Sequence, residues 1–137
     1  MFDEGMENLA LIVKSRPQWQ AGKLNGPGGS VEAREEPGEA MRREFLEEAG
    51  VDYDGWIPLV RIYRDGDREI FFFVAYTNLV HEVKTLTDES VHVLPIDYVL
   101  SEKAMLASQN LRWIIHMAID PCVGKGRFID VEDVAGH

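Results

Sequence analysis

Apolar residues follow two different periods in the first half of the chain. A continuous apolar run at residues 9–14, Leu-Ala-Leu-Ile-Val-Lys, predicts a strand that is buried on both faces. Residues 15–27 contain two prolines and two glycines and predict a loop. Helical spacing then predicts a helix that begins at Pro37 and ends at Gly50. The apolar face of this helix consists of Ala40, Met41, Phe45 and Ala49.

The second half of the chain also contains both strand-like and helical patterns of apolar residues. Apolar runs predict strands at residues 56–64, 68–76 and 91–96, and Asp65-Gly66-Asp67 predicts a hairpin between the first two. Helical spacing at residues 107–119 predicts a second long helix. The tail after Pro121 has too weak a pattern to predict an element. Strands interspersed with two helices predict one mixed α/β (α+β) domain over residues 1–137.

Charge and composition narrow the class of partner. The formal net charge of -10 argues against binding of long nucleic acids, because their phosphates would be repelled over most of the surface. A small polyphosphate complexed with a metal ion is not excluded by this charge. No apolar run approaches the roughly 18 residues that span a bilayer, so no membrane association is expected. Cys122 is the only cysteine and the N-terminus lacks a basic flank, which favours a cytoplasmic protein.

Three carboxylates are concentrated on the predicted helix. Glu44, Glu47 and Glu48 stand at positions i, i+3 and i+4, which places them on one side of a helix. Ligand sets made only of oxygen favour Mg²⁺ or Mn²⁺, and these ions usually meet phosphates. The alternative is a solvated helix with ion pairs such as Arg43–Glu47. That alternative does not explain the rigid glycine-rich turn at residues 26–29, where backbone must approach something closely.

Residues 29–51 resemble the box that defines the Nudix hydrolases. The resemblance implies the Nudix fold, a mixed β-sheet sandwiched between helices, with hydrolysis of a phosphoric anhydride. Phe45 departs from the aliphatic residue that is usual at its position, where packing should tolerate it. Only eight residues precede Leu9, so the sheet is expected to lack a full first strand, and a homodimer would cover its open edge. The matching residues are Gly29, Glu35, Arg43, Glu44, Glu47, Glu48 and Gly50.

The same resemblance implies a metal site and its ligands. Mg²⁺, with Mn²⁺ as a substitute, would be held by the backbone carbonyl of Gly28 and by three carboxylates. The metal would polarise a phosphoryl oxygen and lower the pKa of the attacking water. The three carboxylates are those of Glu44, Glu47 and Glu48.

Other residues are assigned to catalysis by the resemblance and by their chemistry. Arg43 is suited to orient a carboxylate bidentately, and Glu35 is its expected partner or an outer metal contact. The proton of the attacking water would go to Glu44 or to an acid from a distant loop. Glu89 is the candidate in the loop at residues 85–89, and a loop acid without a role is an equal alternative.

The flanks of the box resemble the MutT-type branch of the family. That branch hydrolyses nucleoside triphosphates to the monophosphate and pyrophosphate, and often acts on oxidised purines such as 8-oxo-dGTP. Asn25 and Asn110 would then contact the base, unless they only shape a turn and a helix start. Lys14 and Lys23 would contact phosphates, unless they are ordinary surface lysines. Ser30 replaces a lysine that is common in this branch, which removes one expected phosphate contact.

Two alternatives remain open from the sequence. One is hydrolysis of another nucleoside diphosphate derivative, either ADP-ribose or a dinucleoside polyphosphate. ADP-ribose hydrolases usually carry a proline about fifteen residues after the box, where this chain has Arg-Asp-Gly-Asp-Arg at residues 64–68. The other is a binding module without catalysis, which typically loses box carboxylates. The sequence does not determine the base or the sugar.

Overall fold

The computed structural model describes residues 1–64 and 68–133, and over these ranges it contains six strands and three helices. Short 3₁₀ turns lie at Gln18–Gln20 and Asn78–Glu82. The hairpin predicted at residues 65–67 lies outside the described residues. The elements are β1 (Asn8–Val13), β2 (Leu24–Asn25), α1 (Pro37–Ala49), β3 (Ile57–Arg64), β4 (Arg68–Val74), β5 (Val91–Pro95), α2 (Ile96–Val99), α3 (Asn110–Ile119) and β6 (Ile129–Asp133).

Helix α1 begins and ends as its sequence predicts. Pro37 occupies the first turn, where its missing N–H costs no hydrogen bond. Gly50 caps the helix in the left-handed conformation at φ 76°, and its N–H donates to the carbonyl of Leu46. The strand predictions are confirmed for β1, β3, β4 and β5 to within two residues at each end.

The predicted start of the last helix at residue 107 was wrong, because α3 begins at Asn110. The N–H of Ala107 donates to the carbonyl of Leu24, and Leu106 forms an isolated bridge with Leu24. These residues therefore pair with β2 and cannot join the helix. β2 itself exists within a segment that was predicted as loop because Leu24 and Asn25 pair with the end of β1.

Two further elements were not predicted from the sequence. Helix α2 is a single turn that follows directly on β5. Strand β6 lies in the tail to which no element was assigned, and it pairs parallel to β3. The strand partner of β6 is β3, which is distant in sequence, so no local pattern in the tail predicts the strand.

The strands form two three-stranded sheets, ordered β2–β1–β5 and β4–β3–β6. Phe2 joins them, because it forms an antiparallel bridge with Leu9 and a parallel bridge with Tyr76. Its N–H donates to Ala75, and its carbonyl accepts from Thr77. The expected incomplete first strand is thus a single bridging residue between the two sheets. Dimer formation stays a prediction.

Helices α1 and α3 cover opposite sides of β1. Leu9 and Leu11 pack in the core cluster that contains the apolar face of α3. Ala10, which points the other way, packs in the cluster that contains Phe45 and Ala49 of α1. The predicted sandwich of sheet between helices is therefore confirmed. Over the described ranges, no helix is long and apolar enough to cross a membrane.

Candidate active site

The glycine-rich turn lies directly over the carboxylate of Glu44. A Cβ atom at Gly29 would lie 2.3 Å from Oε1 and 2.4 Å from Cδ of Glu44, distances that no real side chain tolerates. Glycine at this position therefore allows the turn to approach Glu44 this closely, and any larger residue would displace the carboxylate of Glu44. The packing holds one box carboxylate against the backbone of the turn.

Glu48 contacts the same turn from one helical turn further along α1. The N–H of Gly28 donates to Oε2 of Glu48 at 2.9 Å. Burial and the charges of Glu44 and Glu89 together raise the pKa of Glu48 to about 7 in spite of this hydrogen bond. The three carboxylates therefore lie close enough for their charges to interact, although Arg43 pairs with Glu44 and Lys14 pairs with Glu89.

Arg43 connects the turn and the helix through several carboxylates. Its Nε and Nη2 donate to the two carboxylate oxygens of Glu35 at 2.9 and 3.0 Å, which is the expected bidentate pairing. Its Nη1 donates to Oε1 of Glu44 at 2.7 Å, and its Nη2 also donates to the carbonyl of Ser30. Hydrogen bonds from Arg43 and from the N–H of Glu32 lower the pKa of Glu35 to about 2. The arginine thereby orients Glu44 and anchors the loop before α1.

Glu47 is the most exposed of the three box carboxylates. Its side chain is 58% exposed, and Oε2 lies 3.6 Å from Nη1 of Arg43, against 16% exposure for the side chain of Glu44. An exposed carboxylate at this distance is only weakly held. Glu47 is therefore free to change rotamer towards an incoming cation.

Glu89 is brought to the site from a loop distant in sequence. It is 7% exposed, and its Oε2 accepts from the N–H of Ser15 at 2.7 Å. The ammonium of Lys14 lies 3.3 Å from the same oxygen. Burial alone would raise the pKa of Glu89, but the hydrogen bonds from Ser15 and Lys14 outweigh it, so the pKa is below its usual value. Glu89 is therefore held as a charged carboxylate next to Glu48.

A cavity of about 620 Å³ reaches the turn that packs on Glu44 and Glu48, while the carboxylates themselves are not among the described residues that line it. Lys14, Asn25 and Asn110 line it, together with the turn at residues 26–29. These are three of the four residues that were predicted to bind substrate. The fourth, Lys23, is not among the described residues that line the cavity. Its backbone carbonyl accepts a hydrogen bond from the backbone N–H of Lys14. The ammonium of Lys14 is paired with Glu89.

Both asparagines line the cavity and use their amide oxygen for a hydrogen bond within the protein. Oδ1 of Asn25 accepts from the N–H of Gly26 at 2.9 Å, and Oδ1 of Asn110 accepts from Nε1 of Trp113 at 2.9 Å. Over residues 1–64 and 68–133, the NH₂ groups of the two amides donate to no other protein atom. Asn25 thus contacts its own turn, whereas Asn110 contacts a side chain of α3 and, within the described part of the chain, makes no capping hydrogen bond to the helix start. Base contact by either residue stays a prediction.

The family model of the NUDIX domain matches residues 1–116. The chain belongs to the Nudix family. Among curated proteins, none matches it. By family it is a pyrophosphohydrolase that acts on nucleotide derivatives, and Nudix enzymes generally use divalent cations.

Solved structures similar to this Nudix protein show the fold. A mutator MutT protein from Bacillus halodurans has a TM-score of 0.63 and 21% identity, with 93% of this chain and 80% of that chain covered. A structure from a study of MutT from Aliivibrio salmonicida and Vibrio cholerae has a TM-score of 0.61 and 20% identity, with 85% of this chain and 91% of that chain covered. A MutT protein from Methanosarcina mazei Go1 has a TM-score of 0.57 and 21% identity, with 84% of each chain covered.

The donors of the Nudix box fit a divalent cation by their chemistry. Within the described ranges, no three acidic, histidine or cysteine side chains already stand in a metal-binding arrangement. Burial of Glu48 and the nearby charges of Glu44 and Glu89 raise the pKa of Glu48, so a cation at this place would stabilise its charged form. Glu44 is fixed beside it by the turn, and Glu47 is exposed enough to rotate. A hard divalent ion would supply the missing charge.

Ser15 is the contributor to the site that sequence reasoning missed. Its N–H and hydroxyl both contact Glu89, which lies 74 residues away in the chain. A backbone donor leaves no residue-type signal, and the register that brings it there depends on β1 pairing with β5. Sequence spacing alone therefore could not have found this contact.

Proposed function

We propose that this Nudix protein hydrolyses a nucleoside triphosphate to the monophosphate and pyrophosphate, with Mg²⁺ as its natural metal. The observation that carries the proposal is the cavity, in which two amides stand beside the turn that packs on Glu44 and Glu48. A nucleoside placed at the amides would have its phosphates directed toward the turn and the carboxylates. Mn²⁺ is the expected substitute metal.

Glu44, Glu47 and Glu48 would hold the metal together with the carbonyl of Gly28. Bound there, the ion would supply Lewis-acid activation of a phosphoryl oxygen and of the attacking water. Arg43 keeps Glu44 oriented through its bond to Oε1. The expected ligand set is supported by the positions of Glu44 and Glu48 beside the turn and by the exposure of Glu47.

Glu89 is the proposed acceptor of the proton of the attacking water, with Glu44 as the alternative. Ser15 and Lys14 hold Glu89 in place and deprotonated, so it can accept a proton, while the same hydrogen bonds make it a weaker base than a free carboxylate. In this arrangement Lys14 serves the substrate indirectly, because its ammonium is already paired with Glu89. Replacement of Lys14 by methionine should then reduce kcat more than it raises KM.

The free NH₂ groups of Asn25 and Asn110 support recognition of a purine that carries an oxo group. The two NH₂ groups are hydrogen-bond donors, which match the acceptor atoms of guanine and of 8-oxoguanine. The exocyclic amine of adenine is itself a donor, so it would face another donor and stay unpaired. Buried polar groups left unpaired by the wrong base reduce its binding. An oxidised guanine nucleotide such as 8-oxo-dGTP is therefore the first substrate to test.

The decisive experiment is a panel of normal and oxidised NTPs and dNTPs, ADP-ribose and dinucleoside polyphosphates with Mg²⁺, with products separated and identified. The substitutions Glu47→Gln and Glu48→Gln should abolish turnover while the melting temperature is retained. Glu39→Gln is the matched control, because Glu39 is an exposed acid in the first turn of the same helix. Retained activity in both box variants would refute the assigned ligand set.

Hydrolysis of ADP-ribose or a dinucleoside polyphosphate is the second candidate. It is favoured by Ser30, which stands where the MutT-type branch commonly has a lysine for phosphate. Products distinguish the two functions, because release of pyrophosphate requires a triphosphate substrate. Formation of two monophosphate products from ADP-ribose, without turnover of any triphosphate, would favour this candidate.

A further inference from the structure

The segment after α3 returns to the sheet that carries one wall of the cavity. It lies beyond the part of the chain that the family model matches, which ends at residue 116. β6 pairs parallel to β3 from Val60–Ile129 to Arg64–Asp133, and the N–H of Gly126 donates to the carbonyl of Pro58. The segment is therefore an integral part of the sheet β4–β3–β6.

Two ion pairs hold β6 in this register. Arg61 donates through Nε and Nη2 to both carboxylate oxygens of Asp130, at 2.9 and 3.0 Å. Nε of Arg64 lies 3.1 Å from Oδ2 of Asp133 in a largely buried ion pair, whose two atoms make no hydrogen bond within the described residues. Bidentate geometry and burial specify one register for the strand.

This register places Phe128 against two aromatic residues of β4. Its ring meets Phe71 edge-on at a centroid distance of 5.4 Å and meets Phe73 at 5.3 Å. Both of these residues line the cavity. Phe73 also reaches α1, because a Cβ at Gly38 would lie 3.9 Å from its Cε1. Phe128 is thus connected through this wall to the first turn of the helix that carries the carboxylates.

We propose that Phe128 is a positioning residue for substrate binding, which holds Phe71 and Phe73 in place as a wall of the nucleotide cavity. Both phenylalanines are only partly buried, so without Phe128 their rings gain rotamers that must be given up when a nucleoside binds. This role rests on the proposed function, in which the cavity takes a nucleoside. It assigns part of substrate binding to a segment outside the matched domain.

The test measures binding of nucleoside monophosphates by calorimetry, in addition to steady-state turnover of the best triphosphate. In Phe128→Ala, the Kd for the monophosphate and the KM for the triphosphate should each rise roughly three- to tenfold, with kcat retained. Phe128→Tyr keeps the ring and should restore both values. Ile129→Ala is the matched control, because Ile129 is the next residue along and is 37% exposed.

The outcomes below decide whether Phe128 holds the wall formed by Phe71 and Phe73 in place. A Phe128→Ala variant that binds the monophosphate as tightly as the wild type, or a wild type that binds no monophosphate, overturns the proposal. Equal loss of kcat and binding, without recovery in Phe128→Tyr, also overturns it, because that pattern indicates general destabilisation. If Phe128→Ala does not fold, Phe128→Leu replaces it with the same expectations. Monophosphate binding that weakens in Phe128→Ala, without turnover of any triphosphate, refutes the proposed function and supports the role of Phe128 in the wall.

Discussion

Substitution of Gly29 by alanine should disable the site through a single steric contact. The new Cβ would lie 2.3 Å from Oε1 of Glu44, and ordinary van der Waals contact begins at 3.4 Å, so the carboxylate must move by 3.4 − 2.3 = 1.1 Å. A misplacement of about 1 Å at a reacting centre costs on the order of 10²-fold in rate. The strain itself should lower the free energy of unfolding by about 1–3 kcal/mol.

The assay is metal-dependent release of pyrophosphate under saturating substrate, with thermal unfolding measured in parallel. Gly26→Ala is the matched control, because it lies in the same turn and its Cβ would meet nothing within 4 Å. The control should retain at least about tenfold more activity than Gly29→Ala. A Gly29→Ala enzyme with wild-type kcat would refute the inference that the turn sets the position of Glu44.

Three further predictions follow from the same geometry. Glu48 has a folded pKa of about 7 against an ordinary 4.5, so the metal-free folded state binds more protons between these values. The difference in the free energy of unfolding between the wild type and Glu48→Gln should therefore fall as pH rises from 4.5 to 7. Thermal unfolding of both proteins in the presence of a chelator measures this difference, and a difference that does not change with pH would contradict the prediction. Arg43→Lys should lower kcat roughly 10- to 100-fold, because an ammonium cannot bind Glu35 bidentately, and wild-type kcat would count against this role. Phe45→Ala should cost about 3–5 kcal/mol in urea unfolding because Phe45 is 0% exposed, whereas the neighbouring Leu46→Ala should cost less than about 1 kcal/mol.

The catalytic helix was predictable because its determinants are local. Pro37 and Gly50 set its ends, and a spacing of three and four residues places Glu44, Glu47 and Glu48 on one side. β1 was equally predictable, since five successive apolar residues leave no polar side for solvent, and four of them are buried. These features depend on residues within one or two helical turns, or within one strand, of each other.

The environment of those carboxylates was decided by tertiary structure. Glu48 acquires its raised pKa only where Gly28, Glu44 and Glu89 meet around it. Glu89 arrives because β1 pairs with β5, a choice between strands that no local pattern specifies. The amide donors of Asn25 and Asn110 likewise depend on which partner takes each carbonyl oxygen.

The sequence by itself therefore determined the family, the catalytic helix and the class of metal ligand. Tertiary structure decided which of those ligands is buried, which partners the amide oxygens of Asn25 and Asn110 take, and that β6 completes its sheet. The physical reason is that helical spacing and turn chemistry act within a few residues. Desolvation, charge coupling and strand pairing act between segments that meet only when the whole chain has folded.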